Sequence, residues 1–202
     1  MARKTNTRNT KFRVAIIGEG HTEWYYFSNM KQHERFKFKL EPELPKHSDY
    51  KTLIKSARKK RDEGYDLIFC VLDMDTILTN STQKAGYLKE KSKTHSNKNI
   101  EFIESMPCIE FWFLQFFLSR YSSKLYLNYG QVVKELKKHF KQYEKTEKLL
   151  ESIKLYEHLN NSGNFFNANK FSTESVIEKR SSTNSLYNYT QINELINKLK
   201  SI

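Results

Sequence analysis

The sequence is poor in the residues that staple or punctuate a small secreted fold. Its 202 residues include two cysteines, three prolines and six glycines. Cys70 and Cys108 both lie inside apolar runs, where a thiol behaves as a small buried hydrophobe. That argues against a disulfide framework and for a reducing, cytoplasmic setting. There is no CxxC, no HExxH and no zinc-finger spacing, which removes the common zinc chemistries. The longest apolar run, Ile109 to Leu118, is too short to span a bilayer. Arg3, Lys4, Arg8, Lys11 and Arg13 are not followed by the apolar segment of a secretory signal. No membrane association is expected.

Positive charge is plentiful. Lysine and arginine number 35 against 23 acids, a net charge of +12. Such a surface attracts polyanions and suits a nucleic-acid partner, although lysines also serve solubility. The length fits one domain with a real core. The expected layout is a basic arm over residues 1–10, an α/β core over 11–121 and a helical extension over 122–202, packed as one unit.

The most informative stretch runs from Tyr65 to Thr76. An apolar run, Leu67 to Leu72, ends in Asp73-Met74-Asp75. Continuous apolar character reads as a strand buried on both faces. Carboxylates at the end of such a strand are unfavourable unless they meet a cation or water. If the extended geometry persists, Asp73 and Asp75 point to one side. Paired oxygen ligands of this kind suit Mg²⁺ or Mn²⁺; the plain alternative is a solvated turn.

Further strands are expected at Phe12–Ile17, Phe36–Leu44 and Asn99–Ile103, and helices from His21 to about Glu34, from Ser48 to Glu63 and from Thr76 to Lys93. Gly64 lies just past the end of the second helix. Pro42 and Pro45 close the second strand, which reads as an edge. The alternation β-α-β-α-β-α-β predicts a parallel sheet with right-handed crossovers, whose ligands bind beyond the carboxyl ends of the strands. Gly18-Glu19-Gly20 ends the first strand. It matches no phosphate-loop fingerprint, and its carboxylate suits a metal site better than a phosphate cradle. Pro107 opens a helix running to about Arg120, strongly apolar but for Glu110. Basic helices follow at about 130–140 and 144–159, then a loop-like Asn/Ser stretch, 160–188, with a short helix near Thr173–Lys179. A final amphipathic helix spans Tyr189 to Lys200.

One glutamate after the first strand and Asp-x-Asp after the third resembles the arrangement of Toprim nucleases, primases and topoisomerases. Three blocks resemble the RloB-like family more closely. They are Gly18-Glu19-Gly20-x-Thr22-Glu23-x-x-Tyr26-Phe27, Val71-Leu72-Asp73-Met74-Asp75, and Pro107-Cys108-Ile109-Glu110-Phe111-Trp112-Phe113-Leu114. Tyr143-x-Lys145 and Ser182-Thr183-Asn184 are weaker echoes. Met106 and Met74 depart from the family, which usually carries Asn before the proline and Arg between the aspartates. The resemblance implies a Toprim-like fold and a Mg²⁺- or Mn²⁺-dependent nuclease of bacterial anti-phage defence, encoded near an ATPase partner. It implies that Asp73 and Asp75 hold ions, and that Glu19 holds a second ion or moves a proton. Glu110 completes the metal shell or merely favours the helix dipole; Lys145 contacts phosphate or is structural. His21 beside Glu19 is more simply a turn residue, and Glu23 a first-turn helix acid.

Two other enzyme readings fit less well. A haloacid-dehalogenase-type phosphatase also begins from Asp-x-Asp, but needs later acids, and no aspartate follows Asp75. A receiver domain spaces its aspartates differently. The non-enzyme alternative is a regulatory or nucleic-acid-binding subunit with a relic site. DNA and RNA remain equal as targets, and the oligomeric state is open.

Overall fold

The computed structural model describes residues 12–41, 49–95, 99–182 and 187–202. The chain begins with β1 (Val14–Ile17), α1 (His21–Glu34), β2 (Phe38–Glu41) and α2 (Tyr50–Asp62). It continues through β3 (Leu67–Asp73), the short α3 (Asp75–Thr79), α4 (Ser81–His95) and β4 (Ile100–Met106). After β4 come α5 (Glu110–Gln115), α6 (Tyr129–Leu136), α7 (Glu147–Ser152), α8 (Leu155–Ser162) and α9 (Phe165–Ser181). The two-residue β5 (Tyr189–Thr190) and α10 (Ile192–Lys200) close the chain.

The sheet order is β2-β1-β3-β4-β5. The first four strands are parallel, as the alternation of strand and helix predicts, while β5 runs antiparallel against Ser105 and Met106. The chain steps from β1 outward to β2, then returns to β3 on the other side of β1. The gap between the carboxyl ends of β1 and β3 is therefore the switch point where such sheets bind ligands.

Strand β3 explains the two-sided burial. Its alternate residues Leu67, Phe69 and Val71 enter one core layer with Tyr26, Phe27, Trp112 and Phe113. Ile68, Cys70 and Leu72 enter the opposite layer with Leu53, Ile54, Ile77 and Tyr87. The first layer also takes Val133, Leu150, Leu159 and Leu195 from the last third of the chain. The expected extension thus completes the main core. Both cysteines are free and buried.

Several elements differ from the expectation. Strand β1 starts at Val14 and β2 at Phe38, so both are shorter at their amino ends. Asp49 caps α2 by accepting the Thr52 N–H at 2.8 Å; the expected cap Ser48, Pro42 and Pro45 lie outside the described residues, as does the basic arm. Gly64 does follow α2, with φ +82°, a conformation that favours glycine. Strand β4 extends to Met106, three residues beyond its expected end. The helix expected from Pro107 to Arg120 is confined to Glu110–Gln115. It stops where Phe116 O accepts the Asn164 N–H at 2.8 Å. Gly163 permits that approach: a Cβ there would lie 2.7 Å from Phe116 Cβ.

The Asn/Ser-rich stretch is the largest departure. It forms the 17-residue α9, capped by Asn164. Its inward stripe is Ala168, Phe171, Ser172, Ser175 and Val176. Two of those five are serines, so a hydrophobic pattern does not reveal the stripe. Ser172 Oγ bonds Thr190 O and Asn193 Oδ1, each at 2.7 Å, which makes its burial tolerable.

Glu104 of β4 ties α4, α9 and β5 to the sheet. Tyr87 and Tyr189 donate to it at 2.5 and 2.8 Å, Lys179 at 3.1 Å, and Lys91 closely as well. Burial opposes the charge of Glu104, but the combined pull of Lys179 and Lys91 prevails and lowers its pKa to about 2. A depressed carboxyl stabilises the fold above its ordinary pKa and loses that contribution as pH falls toward the folded value. Urea unfolding should accordingly show a loss of roughly 3 kcal/mol between pH 4.5 and pH 2 from this group. In Glu104→Gln that portion of the acid dependence should disappear; an unchanged acid limb means Glu104 is not the group that titrates.

Candidate functional site

The carboxyl edge of the sheet gathers Glu19, Glu23, Asp73 and Glu110 around Lys145. Asp73 is the last residue of β3. Its main-chain N–H donates to Glu19 Oε2 at 3.2 Å, so the turn after β1 and the end of β3 meet through this bond. The Asp73 carboxylate Oδ1 in turn accepts the Ile109 N–H at 2.9 Å. Below it, the Met74 and Asp75 N–H groups donate to Pro107 O, each at 3.0 Å. These bonds clamp the end of β3 to the start of α5 and bring Glu110 to the same edge as Asp73.

The two glycines flanking Glu19 make room for Glu23. A Cβ on Gly18 would lie 2.7 Å from Glu23 Cβ, and one on Gly20 would lie 3.3 Å from Glu23 Oε2. Gly20 N–H donates to that oxygen at 2.8 Å, closing a helix-capping bond. The Gly-Glu-Gly turn is thus a seat for a buried glutamate. Glu23, expected to be an ordinary first-turn acid, is 2% exposed.

Glu110 is fully buried at the start of α5. Tyr143 Oη donates to Glu110 Oε1 at 2.9 Å, and Lys145 Nζ stands 3.6 Å from the same oxygen. Lys145 lies in the segment before α7, and its side chain is 27% exposed. Burial opposes its charge, yet Glu110, Glu23 and Asp73 together hold it protonated above the ordinary lysine range. His21, beside the cluster, contacts Glu147 at 3.0 Å.

Four carboxyls against one ammonium leave the group strongly acidic. Burial, then the neighbouring Glu23, raises the Glu19 pKa to about 7. Burial, then Glu23 and Glu110, pushes Asp73 well above the usual carboxylate range. Glu23 is raised as well, first by burial, with Lys145 pulling the other way. Upward shifts of clustered carboxyls are common at reactive sites.

Asp75 requires a correction. The strand ends at Asp73, Met74 takes helical angles, and Asp75 opens α3. The extended alternation that would align the two aspartates is absent, and Asp75 Oδ1 accepts the neighbouring Thr76 N–H at 2.6 Å. Asp75 still lies near enough to Glu19 for its charge to raise the Glu19 pKa further. Glu23 and Glu110 join Glu19 and Asp73 in the group, with Asp75 beside Glu19. Met74 and Met106, the two family departures, are buried in the apolar layer on the opposite face of β3. Neither removes a polar group from among the carboxyls.

These residues suit Mg²⁺ or Mn²⁺ in donor type. The donors are all hard oxygens, as these ions require. Glu23 Oε1 and Glu110 Oε2 are buried without a partner, and orphaned carboxylate oxygens are what a missing cation leaves. Among the described residues no three acids, histidines or cysteines are already arranged as a ligand set. The residues fit such an ion in chemistry and in unsatisfied oxygens, with side-chain adjustment needed.

Fold and site together define an α/β protein whose mostly parallel sheet collects buried carboxyls at its switch point. A family model for RloB-like proteins matches residues 14–199, and the chain belongs to that family. No curated protein and no solved structure matches it. Among the described residues, no helix is long and apolar enough to cross a membrane.

Proposed function

We propose that the protein is a metal-dependent, Toprim-type nuclease that hydrolyses phosphodiester bonds in RNA or DNA. The observation that carries this reading is the group of four carboxyls, Glu19, Glu23, Asp73 and Glu110, at the switch point with one lysine among them. Glu19, Asp73 and Glu110 are the residues that would hold Mg²⁺ or Mn²⁺, with Glu23 behind them. When bound, such an ion neutralises the phosphodiester and activates water.

The remaining chemistry belongs to the chain. Glu19, with a pKa of about 7, takes or gives a proton at Oε under physiological conditions, which suits a general acid or base. The bond from the Asp73 N–H holds Glu19 Oε2 in place. Lys145 offers an ammonium to a phosphate oxygen once the carboxyls are otherwise compensated. Tyr143 holds Glu110 in place. A role in anti-phage defence and an ATPase partner rest on the gene neighbourhood that the family resemblance implies.

The competing reading is a cleavage-inactive subunit in which Lys145 permanently replaces the ion; its contact with Glu110 favours that view. Calorimetric titration with Mn²⁺ separates the two. Wild type should bind saturably, with affinity rising as pH passes through about 7 and a proton is released from Glu19. Asp73→Asn should lose that binding, and cleavage of mixed cellular RNA and DNA should stop in Glu19→Gln. Absence of saturable Mn²⁺ binding by wild type at pH 8 sinks the nuclease reading.

A further inference from the structure

We infer that the amino-terminal edge of the sheet, at the other end of β1 from the carboxyls, is a binding surface for single-stranded nucleic acid. Two adjoining grooves of about 430 and 300 Å³ meet there, sharing Phe12, Val14, Phe36 and Lys37. The cations lining them are Arg13, Lys31, Arg35, Lys37 and Lys39, and neither groove is lined by an acid. Of these five side chains, only Lys39 pairs with a carboxylate among the described residues, Glu41 at 2.9 Å; Arg13 donates through its guanidinium to Glu63 O at 2.8 Å and through its main-chain N–H to Asp66 Oδ2 at 2.7 Å. Lysines elsewhere are more often compensated, as Lys93 is by Glu90 and Lys138 by Glu135.

Aromatic rings are interleaved with this charge. Phe12 is 53% exposed and lines both grooves with an open aromatic face. Phe36 is half-buried beside it, its ring centroid 6.5 Å from that of Phe38. Arg13 lies 4.1 Å over the Tyr65 ring and Lys31 5.6 Å over Phe38. Arg35 and Lys37, on either side of Phe36, are exposed. An open ring beside the exposed Arg35 and Lys37, which have no carboxylate partner among the described residues, presents a stacking platform within a backbone-attracting groove, the two elements that bind single strands. A duplex keeps its bases stacked on one another and offers no free face to Phe12. An acidic protein segment uses the charge but gains little from the ring.

The surface is distinct from the carboxyl group. Val14 and Glu19 are five residue steps apart, up to roughly 17 Å at a strand's rise. The inference is therefore a second contact for a polynucleotide and does not depend on cleavage.

The test is fluorescence anisotropy of the full chain with a labelled thymidine or uridine oligonucleotide in EDTA, over a range of salt. Arg35→Glu with Lys37→Glu should weaken binding at least tenfold and reduce the salt slope by about two ions. The control Lys51→Glu with Lys55→Glu, on the exposed face of α2 with the same net charge, should change affinity less than threefold. Phe12→Ala should weaken oligonucleotide binding about tenfold while leaving binding of polyglutamate unchanged. Equal losses in the two charge-reversal pairs, or no effect of Phe12→Ala, overturn the proposal. So does polyglutamate displacing the oligonucleotide at equal charge, which assigns the groove to an acidic protein.

Discussion

Glu110→Gln reduces metal-dependent cleavage by at least a hundredfold while its melting temperature stays within a few degrees of wild type. That is the expected result if this glutamate serves the reaction. The substitution preserves volume at a fully buried position and keeps an oxygen to accept the Tyr143 hydroxyl, now at 2.9 Å. It removes one negative charge facing Lys145 and replaces the unpartnered Glu110 Oε2 with an amide donor that cannot ligate a cation. The position of Glu110 at the start of α5 is favoured by the helix dipole by only about 0.3–1 kcal/mol. A capping role therefore cannot account for a large loss of activity. Cleavage assays on the variant beside its thermal melt decide the matter. Retained cleavage reduces Glu110 to a structural partner of Tyr143 and Lys145.

Lys145→Met carries the largest expected cost to stability, roughly 3–5 kcal/mol at pH 8 without divalent metal. The methionine fills the space of the stem but leaves Glu110, Glu23 and Asp73 without their ammonium. The deficit should depend on pH in a definite direction. Glu19, Glu23 and Asp73 have raised pKa values, Glu19 to about 7. A raised carboxyl stabilises the fold when protonated, below its ordinary value, and loses that contribution as pH rises through the folded value. The deficit should then be small near pH 5 and grow toward pH 8. Added Mn²⁺ should restore much of it at pH 8, since a bound cation stabilises the folded state by mass action. Denaturant unfolding across pH, with Mn²⁺ and with EDTA, measures both effects. A variant as stable as wild type at pH 8 in EDTA would show that the ammonium is not what makes the buried carboxyls tolerable.

Much of the sheet was legible in the sequence. The apolar run of β3, the Gly-Glu-Gly break after β1 and the Phe/Lys alternation of β2 are local signals, and each marks its strand. Ends were less legible. Strand β4 runs on to Met106 because it pairs through Ser105 and Met106 with β5, a two-residue strand too short to have a pattern of its own. Helix α9 was legible only over Thr173–Lys179, because two of its inward positions are serines, Ser172 and Ser175, bonded to Thr190 and Asn193.

The site divides in the same way. Glu19 and Asp73 follow from strand ends, and in a parallel sheet strand ends share an edge. The sequence also placed Glu110 just after the fourth strand, so its approach to that edge was foreseeable. Asp75 does not align with Asp73 as along a strand, because two-residue alternation holds only while the strand continues, and the main-chain bonds from Met74 and Asp75 to Pro107 O turn the chain into a helix there.

By itself, then, the sequence determined the strand order along the chain, the two-sided burial of β3 and the carboxyls at the ends of β1 and β3. Periodicity and chain direction are local properties, and they suffice for those features. Only the tertiary structure decided that Glu23 joins the group, that Tyr143 and Lys145 close it, and that α9 and β5 complete the sheet's second face. Tyr143 is 33 residues from Glu110 in the chain, and Tyr189 is 85 from Glu104. Such contacts depend on how packed layers bring distant segments together. A buried carboxylate acquires its partners, and its pKa, from that packing and not from its sequence neighbours.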